Sequence, residues 1–383
     1  MAEQLTRSLI CKVNVLDKHE EKLLETMSLF RDICNYISEF AWENRIFNFF
    51  RLSKETYKKA REKFPQVHSD LVVNAIRFVA NSYKANKKTK HTFKKLFVCY
   101  RKNSITFKKD YGSFFIATIW ILEYGRVPVA VFVPRKYAKY IHEMKWVSWA
   151  TLHYHRGSKE FYIHITIKEK IELKEGKTPV GVDLNLSGYI LVAVRNGKVI
   201  FKAKGGPIKA VRERYFSLRS KIQKLTAQKR KRKGGNGNTW SLYRLLIKLS
   251  RKEKQAVNTL LHTIAKQFVD TLEEGDVVVF ENLKHLRERT RVRKKQRRNH
   301  NLWAYAKLQF LVEYKAKLRG IPVVYVDPKY TSQRCPRCGY IHKSNRKSQK
   351  LFRCNKCGYQ DNADIVSAKN LACLWEQAPK GKE

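Results

Sequence analysis

Two pairs of closely spaced cysteines near the end of the chain constrain its fold more than any other feature. Cys335 and Cys338 are separated by two residues, as are Cys354 and Cys357, and fifteen residues lie between the pairs. This spacing is typical of a four-thiolate zinc ribbon, in which each pair presents its sulfurs on a tight knuckle. Redox CxxC motifs and disulfides are the alternatives. We predict a structural Zn²⁺ site at these four cysteines.

The residues that flank the cysteines indicate that the ribbon is inserted into an α/β domain. An apolar strand at residues 323–326 precedes it, and Asp361 and Asp364 follow it at the start of a predicted helix. Either acid can be explained as a residue favoured at the positive, N-terminal end of a helix. We expect Asp361 to be the N-cap, which would make Asp364 the N3 residue.

The overall charge indicates a polyanionic partner. The chain of 383 residues carries 80 Lys and Arg against 33 Asp and Glu, a net charge of +47. The phosphate backbone of a nucleic acid is the natural counter-charge for such a surplus. A membrane surface is the competing explanation, but the sequence has no apolar run near the roughly 20 residues of a spanning helix. Since the N-terminus also lacks the apolar core of a signal peptide, we expect a cytoplasmic protein without a membrane partner.

The first half of the chain changes from a strand pattern to a helical pattern and back. Apolar residues alternate at 9–15, recur at helical spacing between 17 and 84, and form short runs broken by Gly and Pro at 97–171. This order predicts a β-barrel interrupted by a helical insertion. Residues 84–109 hold ten Lys or Arg, no acid and several aromatic residues. They form either a solvated face or a surface that contacts nucleic acid.

The second half predicts a sheet that carries two isolated acids. Three strands are expected between residues 180 and 204, with a strong hairpin signal at Asn196 and Gly197, and a buried strand ends in Glu281. Asp183 lies among apolar strand residues, where burial of a carboxylate is costly unless a partner compensates. An exposed Asp at the end of a strand is the alternative for this residue.

Two basic segments accompany these strands. Residues 209–254 are predicted to be mostly helical and hold 16 Lys or Arg and two acids. Residues 287–298 hold eight basic residues and one acid, and are predicted to be a loop. We expect both segments to bind phosphate backbones without reading bases, because Lys and Arg runs supply charge and little sequence information. A solvated face is again the alternative.

Three acids occupy comparable places in separate elements. Asp183 lies in a first strand, Glu281 at the end of a later strand, and Asp364 in the first turn of the last helix. Such a layout is that of an RNase H-like nuclease core, in which acids from separate elements converge on two Mg²⁺ ions. We therefore predict that these three acids are both the catalytic residues and the Mg²⁺ ligands.

Several motifs resemble those of TnpB, the RuvC-type nuclease encoded by bacterial and archaeal transposons and related to the miniature type V CRISPR effectors. One departure from the family pattern follows the third acid, where Val366 and Ser367 replace the usual Asn and Ala. The matching stretches are Gly181-Val182-Asp183-Leu184, Phe280-Glu281-Asn282-Leu283, Tyr314-Lys315-Ala316, Tyr330-Thr331-Ser332-Gln333, and Asp364 within ADIVSAKNL.

The resemblance implies a multidomain protein that combines β and α/β domains. A wedge β-barrel is expected at residues 1–16 and 91–175, interrupted by a helical recognition insertion at 17–90. An RNase H-like (RuvC) nuclease domain is expected at 176–330 and 360–376, with the zinc ribbon inserted at 331–359. Residues 377–383 are expected to be a disordered tail.

The same resemblance implies an RNA-guided, Mg²⁺-dependent DNA endonuclease with a single RuvC active site. Its partners would be a guide RNA and a target double-stranded DNA, cut beside a short flanking motif. A monomer in a prokaryotic cytoplasm, associated with the nucleoid when bound, is expected. The alternatives are a nuclease-dead, RNA-guided DNA-binding repressor and a CRISPR-associated miniature effector with the same chemistry. The presence of all three acids favours the nuclease.

Overall fold

The computed structural model describes residues 2–101, 104–110, 114–134, 137, 149–185, 188–232, 239–282, 305–327, 329–348 and 350–377. The described chain forms two compact units, Gln4–Lys170 and a second unit of Met1–Glu3 with Ile171–Glu383. The predicted basic loop at 287–298, the motif residue Leu283 and the predicted tail after residue 377 lie outside the described residues. Within the described ranges, no helix has the length and apolar character needed to cross a membrane.

The unit Gln4–Lys170 contains a seven-stranded sheet and three helices. Its elements are β1 (Ala2–Asn14), α1 (Asp17–Glu43), α2 (Phe49–Lys63), α3 (Ser69–Ala85), β2 (Phe97–Tyr100), β3 (Ile105–Asp110), β4 (Phe114–Ile121), β5 (Gly125–Phe132), β6 (Trp149–His155) and β7 (Glu160–Glu172). The order across the sheet is β2-β6-β7-β1-β5-β4-β3. In the chain, three helices therefore lie between β1 and the other strands of its sheet. Closure of this sheet into a barrel and its role as a wedge remain predictions.

The apolar faces expected from the sequence pattern form one core in this unit. Alternate residues of β1 point inward because successive side chains of a strand lie on opposite faces, and Leu9, Cys11 and Val13 are at most 3% exposed. Helix α1 contributes a buried residue every three or four positions, the spacing of one helical face. These residues are Leu23, Met27, Phe30, Cys34, Ile37 and Ala41.

The second unit is built on a five-stranded mixed sheet. Its elements are β8 (Thr178–Asp183), β9 (Tyr189–Arg195), β10 (Lys198–Lys204), α4 (Gly206–Arg232), α5 (Trp240–Asp270), β11 (Asp276–Glu281), α6 (Tyr305–Lys317), β12 (Val323–Val326), the 3₁₀ helix Lys343–Asn345, β13 (Leu351–Arg353), β14 (Gln360–Asn362) and α7 (Ala363–Gln377). The sheet order is β10-β9-β8-β11-β12. Strands β8 and β9 are antiparallel, whereas β11 is parallel to both of its neighbours.

Helices cover both faces of this sheet. In β11, Val278 and Phe280 pack in the same core as apolar residues of α5 and α6. Val277 and Val279 pack instead against Leu371 of α7. Because side chains alternate along a strand, even-numbered residues of β11 face α5 and α6, and odd-numbered residues face α7. The strand is thus buried on both faces, as its unbroken apolar run predicted.

Helix α7 approaches the sheet closely at Gly181 on β8. A Cβ atom at this position would lie 2.0 Å from the backbone oxygen of Ala368, a distance that no real side chain adopts. Glycine therefore permits a close approach between strand and helix backbones here. This approach places the first turn of α7 beside the end of β8.

Candidate active site and metal centre

The sheet register brings Asp183 and Glu281 side by side. Strands β8 and β11 are parallel neighbours in which Phe280 is paired with Val182. The next residue of each strand, Glu281 and Asp183, therefore lies beside the other. Val180 and Val182 belong to the core beneath α5 and α6. Alternation therefore directs both acids to the opposite face, towards α7. Two residues almost 100 positions apart in the chain meet at the carboxyl ends of adjacent strands.

Asp364 reaches the same region from the first turn of α7. The side-chain Oδ1 of Asn362 accepts a hydrogen bond from the backbone N–H of Asp364, at 2.9 Å, so Asn362 is the N-cap and Asp364 the N2 residue. The expectation that Asp361 caps this helix is wrong. Asp361 lies one position earlier in β14, where its carboxylate accepts bonds from Lys369 Nζ at 2.7 Å and from the Tyr359 hydroxyl at 2.8 Å.

The three predicted acids share a buried, electrostatically strained environment. Asp183 is 7% exposed and Asp364 is 3% exposed. Burial, followed by the nearby charges of Glu281 and Asp364, raises the pKa of Asp183 to about 8, although Asn185 opposes this shift by donating a hydrogen bond at 2.6 Å. Burial also raises the pKa of Glu281 and brings the pKa of Asp364 to about 6. A cation bound among these carboxylates would relieve both effects.

Arg346 supplies positive charge to this site from the segment between the two cysteine pairs. Its Nη2 lies 3.7 Å from Oδ1 of Asp364. Against the larger effect of burial, its charge lowers the pKa of Asp183, Glu281 and Asp364 alike. Sequence reasoning missed this residue, because no spacing distinguishes it from the other basic residues between the cysteine pairs.

Thr331 fixes the carboxylate of Glu281. The Thr331 hydroxyl donates a hydrogen bond to Glu281 Oε1 at 2.5 Å, and this bond lowers the pKa of Glu281 against the larger effect of burial. Asn370 of α7 holds the Thr331 segment in place by donating to the backbone oxygens of Thr331 and Arg334, at 2.7 and 2.8 Å. The motif that contains Thr331 was recognised in the sequence, but its contact with Glu281 was not.

A buried asparagine organises the backbone around Arg346. Asn345 is fully buried, and its Nδ2 donates to the backbone oxygens of Gln333 and Tyr340 at 2.9 and 3.2 Å. Its Oδ1 accepts the backbone N–H of Asn355 at 3.1 Å. Because Arg346 is the next residue, the internal hydrogen bonds of the cysteine-rich segment determine where its guanidinium lies.

The four predicted cysteine ligands come together. Sγ atoms of Cys335 and Cys357 are 3.6 Å apart, as are those of Cys338 and Cys354, and all four lie within 4.8 Å of one another. A tetrahedral zinc site with Zn–S bonds of about 2.3 Å requires S–S separations of about 3.8 Å. The geometry of this cluster therefore fits a Zn²⁺ ion held by four thiolates.

The backbone of the cluster also fits thiolate ligands. N–H groups of Lys356 and Cys357 point at Cys354 Sγ, with N–S distances of 3.4 and 3.5 Å, where they would stabilise a negatively charged sulfur. Each pair is followed by a glycine with positive φ, 72° at Gly339 and 70° at Gly358. These glycines allow the chain to turn back beneath the sulfurs.

The departure from the family pattern after Asp364 has a packing role. Val366 is fully buried and belongs to the small core that Cys335, Phe352 and Cys354 form within the cysteine-rich segment. Ser367 donates its hydroxyl to the backbone oxygen of Ala363 at 3.1 Å. Val366 therefore joins α7 to the cysteine-rich segment by apolar contact.

The carboxylates offer a different kind of metal site from the cysteines. Their hard oxygen donors suit Mg²⁺ rather than Zn²⁺. Among the described residues, the four cysteines form a group of possible ligands whose donor atoms all lie within 4.8 Å of one another. The carboxylates of Asp183, Glu281 and Asp364 are a separate set of oxygen donors, near enough for the charges of Glu281 and Asp364 to raise the pKa of Asp183.

Comparisons with known proteins place the chain in a family. Residues 305–371, which include the cysteine cluster and Asp364, match the Cas12f1-like TNB domain family. The TnpB-like protein aq_aa05 of Aquifex aeolicus is 33% identical over 236 residues, which cover 57% of this chain and 76% of that protein. The CRISPR-associated endodeoxyribonuclease Cas12f1 of Sulfoacidibacillus thermotolerans is 31% identical over 195 residues, or 50% of this chain and 44% of that protein. The chain thus spans less than half the length of the second relative.

A solved structure shares the fold. The cryo-EM structure of a Cas12f1-sgRNA-target DNA complex superposes with a TM-score of 0.64 and 19% sequence identity, covering 94% of this chain and 83% of that chain. At this identity the likeness is one of fold alone. The motif resemblance is confirmed by the Aquifex relative, of which three quarters aligns at 33% identity. On that similarity, this chain belongs to the TnpB-like family.

Proposed function

We propose that this protein is an RNA-guided DNA endonuclease that cuts through one acidic site formed by Asp183, Glu281 and Asp364. One observation carries the proposal: three acids from separate elements meet in a buried place where each pKa is raised. Burying carboxylates beside one another opposes folding, since the charged forms are desolvated and repel. Divalent metal binding offers a functional reason for this cost.

The three carboxylates would hold two Mg²⁺ ions. When bound, the ions would supply an activated water for attack on a phosphodiester and stabilise the leaving oxygen. Thr331 keeps the Glu281 carboxylate in one orientation through its hydrogen bond. The guanidinium of Arg346, beside Asp364, has the charge and planar geometry to contact a DNA phosphate.

The partners proposed for this site are a guide RNA and a target double-stranded DNA. The net charge of +47 supports polyanionic partners of large extent. The unit Gln4–Lys170 would provide the wedge and recognition parts, and the unit with Ile171–Glu383 the nuclease and its zinc ribbon. Base pairing between the guide RNA and one DNA strand would select the target sequence, and the protein itself would contact a short duplex motif beside it. We expect a monomer.

The proposal is tested with Asp183→Ala and Glu281→Ala, each assayed for cleavage and for binding on one preparation. We expect target cleavage with Mg²⁺ to fall by at least about 100-fold, while binding of RNA and target DNA stays close to wild type, because many cations share the binding surface. Glu175→Ala changes an exposed acid of the same unit and serves as the matched control.

Two results would contradict the proposal. Cleavage at the wild-type rate by either variant would remove Asp183 or Glu281 from the active site. A wild-type protein that binds RNA and its paired DNA but never cuts would instead indicate a guided binding protein. Sequencing of RNA that co-purifies with the wild type identifies the guide, and a preparation free of specific RNA would argue against guidance.

A further inference from the structure

Two buried amide side chains converge on Glu281 from different helices. Gln309 of α6 is 8% exposed, and its Nε2 donates a hydrogen bond of 2.9 Å to the backbone oxygen of Glu281. Asn370 of α7 is 1% exposed and reaches the Glu281 carboxylate through Thr331, whose backbone oxygen it binds. One amide therefore acts on the main chain of Glu281, and the other acts on its side chain.

Gln309 holds the backbone where β11 ends. The sheet holds the next residue, because the N–H of Asn282 donates to the backbone oxygen of Val326 on β12, at 2.8 Å. Gln309 binds the carbonyl of Glu281 from α6. Leu308, the preceding residue of that helix, is fully buried in the core shared by the sheet, α5 and α6. Helix packing therefore sets where the Gln309 amide lies, and the amide in turn sets the backbone of Glu281.

Asn370 is bonded through the donor end of its amide. Its Nδ2 donates to the backbone oxygens of Thr331 and Arg334, in the segment that leads into the first cysteine pair. Its Oδ1 is buried, and among the residues that the structure describes it has no hydrogen-bond partner. A buried acceptor without a partner opposes folding. An amide that fixes Thr331 at one end and destabilises at the other fits a functional role better than a purely structural one.

Together these contacts fix both ends of the Glu281 side chain. A glutamate carboxylate is carried on several rotatable bonds, so without restraint it samples several positions. The Thr331 hydroxyl restrains one carboxylate oxygen, and Asn370 fixes the backbone that carries this hydroxyl. Gln309 restrains the main chain at the other end. The carboxylate is thus oriented before any cation binds.

We propose, on the basis of the acidic metal site already proposed, that Gln309 and Asn370 are positioning residues that preorganise the Glu281 carboxylate for a divalent cation. Neither residue would contact the cation or the DNA. A ligand that is already oriented loses less conformational freedom on binding, and groups behind the metal ligands orient them in this way. Loss of either amide should therefore weaken metal binding, and should reduce cleavage most where Mg²⁺ is limiting.

Three substitutions remove the hydrogen bonds without adding charge. Gln309→Met removes one amide at similar length, Asn370→Ala removes the other, and Thr331→Val removes the hydroxyl between Asn370 and Glu281. Binding of Mn²⁺, as a probe for Mg²⁺, is measured by titration calorimetry on protein freed of co-purifying RNA. Zinc content and the unfolding midpoint are measured on the same preparations. We expect each substitution to weaken Mn²⁺ binding by about 10- to 100-fold, with zinc retained.

A buried asparagine in the other unit is the matched control. Asn74 is 3% exposed, and its Nδ2 donates to the backbone oxygen of Cys99 at 3.1 Å. Asn74→Ala should lower the unfolding midpoint and leave Mn²⁺ affinity unchanged. Thr331→Ser keeps the hydroxyl and should bind Mn²⁺ nearly as the wild type does. Equal losses of Mn²⁺ affinity in Asn74→Ala and Asn370→Ala would reveal a general stability effect and overturn the proposal.

A double variant tests whether Asn370 acts through Thr331. Asn370→Ala should weaken Mn²⁺ binding little further in protein that already carries Thr331→Val, because the hydroxyl it positions is gone. Gln309→Met should keep most of its effect in the same background, since it acts on the main chain. Independent, fully additive effects of Asn370→Ala and Thr331→Val would contradict the relay. If Asn370→Ala folds poorly, Thr331→Val tests the same contact without altering α7.

Glu281→Ala separates failure of the positioning role from failure of the metal site. This variant should lose the Mn²⁺ affinity that the amide variants weaken. If Glu281→Ala binds Mn²⁺ as the wild type does, the proposed metal site and the positioning role fail together. If Glu281→Ala loses affinity while Gln309→Met and Asn370→Ala do not, the metal site stands and the positioning role alone is overturned.

Discussion

Arg346 and Asp364 face each other across the acidic site, with 3.7 Å between the guanidinium Nη2 and the carboxylate Oδ1. Arg346 belongs to the segment between the cysteine pairs, and Asp364 to the first turn of α7. The same guanidinium lowers the pKa of all three acids against the larger effect of burial. The cysteine-rich segment thereby contributes charge directly to the candidate active site.

Arg346→Gln should reduce target cleavage by on the order of 100-fold, since a preorganised cation beside developing charge is lost. It should also move the acid limb of the pH–rate profile to higher pH at limiting Mg²⁺, because the pKa values of the carboxylates rise further without the guanidinium. Arg353→Gln, an exposed change in the same ribbon, is the control. Both variants should keep their zinc. An unshifted profile with normal cleavage would exclude Arg346 from the site.

Asp364→Asn and Asp361→Asn separate a metal ligand from a structural acid. Asp364→Asn should abolish DNA cleavage while the thermal unfolding midpoint falls little or rises, since a buried charge is removed. Asp361→Asn loses only a partly exposed ion pair with Lys369, worth about 0 to 1 kcal/mol, and should keep most of its activity. If Asp361→Asn were inactive and Asp364→Asn active, the third ligand would have to be reassigned.

Loss of a cysteine ligand should disturb the acidic site as well as the ribbon. Cys335→Ser or Cys354→Ser should release zinc, whose apparent binding contributes roughly 10 to 16 kcal/mol in isolated zinc-finger peptides. Cleavage should then fall, because Arg346 and Thr331 are positioned by the same segment. Cys373→Ser lies outside the cluster and is the control. Elemental analysis decides the point, and a wild-type protein with far less than one zinc per chain would contradict the zinc site.

The raised pKa of Asp183 predicts a pH-dependent stability. In the folded protein this pKa is about 8, against 3.8 for an ordinary Asp, so between these pH values the unfolded chain releases a proton that the folded chain retains. Stability of the Mg²⁺-free protein should therefore decrease as pH rises from 4 to 8. Asp183→Asn removes this titration, and its advantage over wild type should grow by about 2 to 4 kcal/mol from pH 5 to pH 8.

Denaturant unfolding of both proteins at several pH values measures this difference. Glu175→Gln, at an exposed position, should follow the wild-type curve at every pH. Saturating Mg²⁺ should restore stability at pH 8 to the wild type but not to Asp183→Asn, because the ion needs the ionised carboxylate. An advantage of Asp183→Asn that shrinks with rising pH would show that the carboxyl is not buried as described.

Local patterns in the sequence were sufficient for several features of this protein. The spacing of the four cysteines predicted the cluster, because two tight knuckles form within a few residues of each pair. The unbroken apolar run that ends in Glu281 predicted a strand buried on both faces, since only a central strand needs such a run. The strand, helix and strand order of the first half also followed from periodicity alone.

Tertiary structure decided how these parts meet. The position of β11 between β8 and β12 set Glu281 beside Asp183, and strand order depends on contacts between segments far apart in the chain. Thr331 reaches Glu281 across 50 residues of the chain, and Arg346 reaches Asp364 through the folding of the cysteine-rich segment. No local sequence pattern encodes either side-chain contact. The choice of Asn362 over Asp361 as N-cap was likewise settled by where β14 ends, because Asn362 is the last residue of that strand and directly precedes Ala363, the first residue of α7.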